Sequence, residues 1–161
     1  MLPIPASSRL AAALLAALLL ACAAVASGCG EGAKEKNAYV DAVSAAQRSY
    51  ANRFEQVRAR LTVTSTVEQD RATLAAMAAA TQTFVASLKG IDPPEEVREE
   101  HARLTTSAAG YARKVTEARA GLVRDTAADR GKVRSALSSD VENTQEQFVK
   151  AIAEINAGLQ G

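Results

Sequence analysis

The chain has 161 residues, of which 48% are apolar but only 4% aromatic, and none is Trp. Alanine supplies most of the apolar share: 36 alanines stand against 9 glycines and 4 prolines, which favours long helices and argues against a turn-rich β sandwich or barrel. The 19 basic and 18 acidic residues nearly cancel, which argues against a nucleic-acid binder or a polybasic membrane-surface protein, and the length suits one domain.

In chain order the first feature is an unbroken apolar run from Leu10 to Ala26, preceded by the single charge Arg9 and followed by Ser27-Gly28-Cys29. A basic start, an apolar middle and a small-residue end are the three parts of a secretory signal, so residues 1–28 are expected to be a leader outside the fold. A single membrane-spanning anchor is the competing reading. The run is near the lower limit for a span, is rich in Ala, and has no basic stop-transfer cluster behind it, which favours cleavage.

Cys22 and Cys29 are the only cysteines. A mature domain without other Cys has no internal disulfide and no thiolate metal site, so the leader itself has to account for them. Ala26-Ser27-Gly28-Cys29 resembles the lipobox of bacterial lipoproteins. That resemblance implies cleavage just before Cys29, a diacylglycerol on its sulfur, and a location at the extracytoplasmic face of the cell membrane. Leu19-Leu20-Ala21-Cys22 is the alternative lipidation site. Cys29 is preferred because residues 29–36, with Gly30-Glu31-Gly32-Ala33-Lys34, read as a polar, flexible tether. Losing Arg9 with the leader removes the formal net charge of +1, so lipid rather than charge would hold the protein on the bilayer.

Residues 37–161 read as four amphipathic helices. Val43, Ala46, Tyr50, Phe54, Val57 and Leu61 recur every three or four positions and predict a helix over about 37–62. Thr62-Val63-Thr64-Ser65-Thr66 breaks it. Ser65 with Glu68 then forms a capping-box pattern, which opens a second helix carrying Val67, Leu74, Met77, Thr81, Phe84 and Leu88. Gly90 is expected to end that helix in the left-handed conformation.

In Ile91-Asp92-Pro93-Pro94-Glu95, Asp92 is expected to cap a third helix over about 94–123, with Glu95 completing the box. Its stripe is Val97, His101, Leu104, Ala108, Tyr111, Val115, Ala118 and Leu122. Val133, Leu137, Val141, Thr144, Phe148, Ile152, Ile155 and Leu159 mark a fourth helix. Thr126 with Asp129 is the preferred cap for it, and a third helix running on to Gly131 is the alternative. Similar lengths and short connections make an all-α, antiparallel up-down four-helix bundle the expected fold, either as a monomer or completed by dimerisation.

Motifs for chemistry are sparse. His101 is the only histidine and lies on an apolar stripe; the residue three before it is Arg98, so the Glu-x-x-His pattern of di-iron bundles is missing, and a structural role is expected. The six aromatic residues sit at core spacing. Arginines over 53–60 and 113–119 share their faces with acids and read as solvated exterior. Without a nucleophile elbow, a phosphate loop or ligand spacing, catalytic, metal and cofactor sites are all expected to be absent.

Leu88-Lys89-Gly90-Ile91-Asp92-Pro93-Pro94-Glu95-Glu96-Val97, followed by His101 and Leu104, resembles a phrase of uncharacterised helical exported proteins of actinobacteria. That resemblance covers under twenty residues by our reading and implies no activity. The sequence thus leads to a lipid-anchored envelope module that works by binding or spacing, with an envelope protein as partner and the membrane reached through Cys29. A small-ligand or metal-binding bundle, a sensor or carrier, is the alternative.

Overall fold

The computed structural model describes residues 31–62, 64–122 and 127–160. Helix α1 spans Glu31–Arg58, α2 Val67–Lys89, α3 Arg98–Gly121 and α4 Ala127–Gln160, with a 3-10 turn at Glu95–Val97 leading into α3. There is no strand among the described residues, and the fold is an all-α bundle of four helices. The leader over 1–28, Cys22, Cys29 and the Thr126 cap lie outside the described residues.

Helix α2 packs against α1 and α3, and α3 against α4. At one end of the molecule the start of α1, the end of α2, the start of α3 and the end of α4 meet. There Lys36 Nζ donates to the Leu159 carbonyl at 3.2 Å and lies 3.3 Å from a Glu96 carboxylate oxygen. At the opposite end the first turns of α4 reach the α1–α2 loop through Arg134, which bonds the Thr62 carbonyl and pairs with Asp70.

The apolar stripes become the core. Val43, Phe54 and Val57 of α1, Leu74, Met77, Phe84 and Leu88 of α2, Leu104, Ala108, Tyr111 and Val115 of α3, and Leu137, Ile152, Ile155 and Leu159 of α4 are all buried. Each fully buried leucine contributes about 1.5–3 kcal/mol of transfer free energy. The core has two lobes that meet at Tyr50. The Tyr50 ring stacks on Phe84 at 4.7 Å and tilts against Phe54 at 5.3 Å, while Phe54 reaches Tyr111 at 5.8 Å and Phe84 reaches Phe148 at 5.9 Å. Five of the six aromatic rings thus form one continuous path through all four helices.

Several boundaries differ from the sequence expectation, each for a local reason. Helix α1 begins at Glu31 and not at 37, so most of the stretch read as a flexible tether is helical. Ala33, Lys34, Glu35 and Lys36 are good helix formers, and the ties from Lys36 to α4 and to Glu96 hold this first part in place. Helix α1 closes at Arg58 in tight turns, with Arg60 N–H and Leu61 N–H donating to the carbonyls of Val57 and Arg58.

The capping box of α2 is Thr66 with Gln69 rather than Ser65 with Glu68: Gln69 N–H donates to Thr66 Oγ1 at 3.2 Å, and Thr66 N–H donates to Gln69 Oε1 at 2.8 Å. Gly90 is right-handed, at φ −85°, because its N–H can bond the preceding carbonyls without reversing the chain. Asp92 does not cap α3. The 3-10 turn intervenes, no side chain caps either element, and α3 starts at Arg98. Gly131 lies inside α4, where a Cβ would meet open space.

Candidate functional site

Two polar clusters are built into opposite ends of the apolar core. At the α1 start, His101 occupies the stripe position that the sequence indicated and is 6% exposed. Its Nε2 lies 3.0 Å from the Leu88 carbonyl and its Nδ1 3.1 Å from the Tyr39 hydroxyl. A carbonyl can only accept, so Nε2 carries the proton, and the neutral ring then accepts the Tyr39 hydroxyl proton at Nδ1. The Leu88 carbonyl, one of the last of α2, also accepts Ile91 N–H at 3.0 Å. Tyr39 packs edge-on against the imidazole with centroids 5.7 Å apart. Burial, aided by the charge of Glu100, pushes the Tyr39 phenol up to about 12, so it stays a donor. Both ring nitrogens are thereby occupied by protein groups, which is the geometry of a structural histidine.

At the other end Ser65, Asp70 and Arg134 form a charged cluster. Asp70 belongs to the first turn of α2 but turns inward and is 2% exposed. Its Oδ2 pairs with Arg134 Nη2 at 3.0 Å and its Oδ1 accepts from Ser65 Oγ. The Ser65 hydroxyl also reaches the Thr62 carbonyl at 2.7 Å and accepts Thr62 N–H at 3.3 Å. Arg134 Nη2 lies 3.2 Å from Ser65 Oγ and bonds the Thr62 carbonyl, while Arg130 Nη1 donates to the Ser65 carbonyl at 2.7 Å. Arg71 donates to the carbonyl of Leu122. The Arg130 and Arg134 bonds tie the α1–α2 loop to α4, and Arg71 ties α2 to the end of α3.

The chemistry of the charged cluster is that of a lock. The carboxylate is neutralised by a guanidinium, and the serine hydroxyl shares its single proton between that carboxylate and a backbone carbonyl. Sequence reading missed Asp70 and Arg134 and gave Ser65 only a capping role. Asp70 looks like a charge placed to complement the helix dipole, and Arg134 looks like a solvent-facing arginine. The arginine groups that the sequence assigns to solvated faces do pair locally, Arg58 with Glu55 at 2.7 Å and Arg113 with Glu117 at 3.7 Å.

Beside the charged cluster an open cleft of about 600 Å³ lies between the end of α1 and the first turns of α2, with Arg60, Thr62, Thr64, Gln69 and Thr73 in its wall. Among the described residues no three His, Cys, Asp or Glu side chains converge as a metal site would require. No helix among them is long and apolar enough to cross a membrane. Comparison with family models, with curated proteins and with solved structures finds no match to this chain.

Proposed function

We propose that the protein is a lipid-anchored helical bundle of the cell envelope, held on the extracytoplasmic face of the membrane through an acylated Cys29, and that it works by binding a partner rather than by catalysis. The Ala26-Ser27-Gly28-Cys29 sequence supports the anchor, and the start of α1 at Glu31, with its first turns tied to the bundle at Lys36, supports the orientation that an anchor there would impose. Two residues of chain span about 7 Å at most, so a lipid on Cys29 would hold the α1-start end of the bundle close to the bilayer. The charged lock and the cleft then lie at the far end, about 40 Å away along α1. The neutral, fully bonded His101 cluster would face the membrane side. A partner in the envelope would meet the far end first.

The anchor is tested by Cys29→Ala. The substituted protein should leave the membrane fraction for the soluble exported fraction and lose incorporated labelled fatty acid. Unchanged fractionation would exclude Cys29 as the anchor and return attention to Cys22. The second reading, a bundle that takes up a small ligand, is favoured by one specific observation, the cleft between Arg60 and Thr73.

A further inference from the structure

Charge nearly cancels over the whole chain but not along the bundle. At the α1-start end, residues 91–100 hold five acids, Asp92, Glu95, Glu96, Glu99 and Glu100, against Arg98 alone. At the far end the order reverses. Residues 53–60 at the close of α1 hold three arginines against Glu55, and residues 113–119 at the close of α3 hold three bases against Glu117. Residues 130–134 in the first turns of α4 hold three bases and no acid. Glu68, Asp70 and Asp129 offset part of this excess. The bonds from Arg134 to Thr62 and from Arg71 to Leu122 bring these segments to one end.

Most carboxylates of that end are already used. Glu55 pairs with Arg58, Glu117 with Arg113 and Asp70 with Arg134. Arg53, Arg60, Arg119 and Lys132 remain: all four are exposed, and none forms an ion pair with a described residue. Against them stands Glu68, which complements the dipole in the first turn of α2. Several uncompensated like charges at one end of a rod give it a positive potential that draws anions from solution.

The surroundings select the kind of anion. Val149 is the one exposed large apolar side chain among the described residues, and it lies in the other half of α4. A protein partner is normally seated on aromatic or aliphatic anchors, and a bilayer receives an inserted apolar face; the described residues of this end offer neither. Contact through charge alone suits a flexible chain of repeating charge, because each cation meets one phosphate and releases its counterion. Three of the four cations are arginines, whose planar fork matches phosphate oxygens in pairs.

We propose that the far end of the bundle is a docking surface for a linear phosphate polymer, held by Arg53, Arg60, Arg119 and Lys132. The inference rests on the binding role proposed above but not on the lipid anchor. Polymer binding is read in solution and the anchor by fractionation, so either can fail alone.

The test is an NMR titration of the full chain in neutral detergent micelles with long-chain inorganic polyphosphate. Inorganic phosphate, uncharged dextran and micelles doped with phosphatidylglycerol are the comparators. Saturable shifts are expected at the amides of Arg60, Arg119 and Lys132, with none from dextran. In the double variant Arg60→Gln/Lys132→Gln, affinity should fall about tenfold, and the slope of log affinity against log salt should flatten by about two, one for each lost phosphate contact. Arg53→Gln/Arg119→Gln should reproduce the loss, whereas Lys34→Gln/Lys89→Gln at the acidic end should change neither quantity. Unchanged helical circular dichroism checks that each variant keeps the fold. Shifts that do not saturate, a far-end double variant that binds as tightly as the parent, or an equal loss in the acidic-end pair overturn the proposal. Inorganic phosphate binding as tightly as the polymer, or phosphatidylglycerol shifting the same amides as strongly, overturns it equally.

Discussion

The two ends of the bundle solve the same problem differently. Each has polar groups inside an apolar core, at the point where helices stop and leave carbonyls and loop amides to be satisfied. At the α1-start end the solution is neutral: one imidazole links a helix-terminal carbonyl to a tyrosine hydroxyl, and no charge is buried. At the far end the solution is ionic: a carboxylate that is 2% exposed is held by Arg134 and Ser65, and the same groups fasten the Thr62–Thr66 loop. Losing a partner should therefore cost more at the ionic end. A neutral group left unpaired can be hydrated at moderate cost, whereas a lone buried charge cannot.

The sharpest way to break this comparison is Arg134→Ala. Asp70 would be left buried without its cation, and we expect a loss of about 3 kcal/mol by urea denaturation, at the low end for a buried pair because Arg134 is partly exposed. Asp70→Asn should cost less, since Arg134 can turn to solvent. Equal losses in the two variants would show that the ionic cluster is not asymmetric in this way.

At the neutral end His101→Ala should cost about 2 kcal/mol, the price of an orphaned Tyr39 hydroxyl, because the Leu88 carbonyl keeps its bond from Ile91. Metal content should be unchanged, and a stoichiometric metal that disappears with this substitution would contradict a structural histidine.

Alkaline pH probes the neutral end and the aromatic centre together. Burial raises the phenols of Tyr39 and Tyr50 to about 12 from the usual 10.0. The unfolded chain gives up those protons first, so this stabilisation is complete below pH 10 and is lost as pH rises towards 12. The melting temperature should fall across that window, in step with tyrosinate absorbance. A flat profile would mean that these hydroxyls are not buried.

The smallest expected effects separate two glycines of α4. A Cβ on Gly158 would lie 2.8 Å from Val97 Cγ1 and 3.2 Å from the Glu96 carbonyl oxygen, so Gly158→Ala should destabilise by about 1 kcal/mol once its gain in helix propensity is offset. Gly131 meets nothing within 4 Å, and Gly131→Ala should stabilise by about 0.5–1 kcal/mol. Melting curves with the same sign for both would refute the close approach of α4 to the 3-10 turn.

Which parts were legible in the sequence follows from the range of the interactions. The core stripes could be read because a 3.6-residue period is local; His101 and Leu104 fell on the inward face as the spacing required. The α2 cap was displaced by one residue because Ser65-x-x-Glu68 and Thr66-x-x-Gln69 both fit the pattern. The choice between them is made by Asp70, which engages Ser65 and is itself set by Arg134, far along the chain. The early start of α1 and the need for glycine at 158 likewise depend on contacts across the bundle. The cleft had no sequence signal, because Arg60, Gln69 and Thr73 resemble ordinary helix-end and loop residues until the fold brings them to one wall.

An acylated Cys29 would put the neutral end at the membrane and the ionic end away from it. Fluorescent labels placed singly at Asp92→Cys and at Thr64→Cys, in acylated protein reconstituted into vesicles that carry a nitroxide lipid, test it most directly. Strong quenching is expected at 92 and little at 64. Equal quenching at both positions, or stronger quenching at 64, would contradict it.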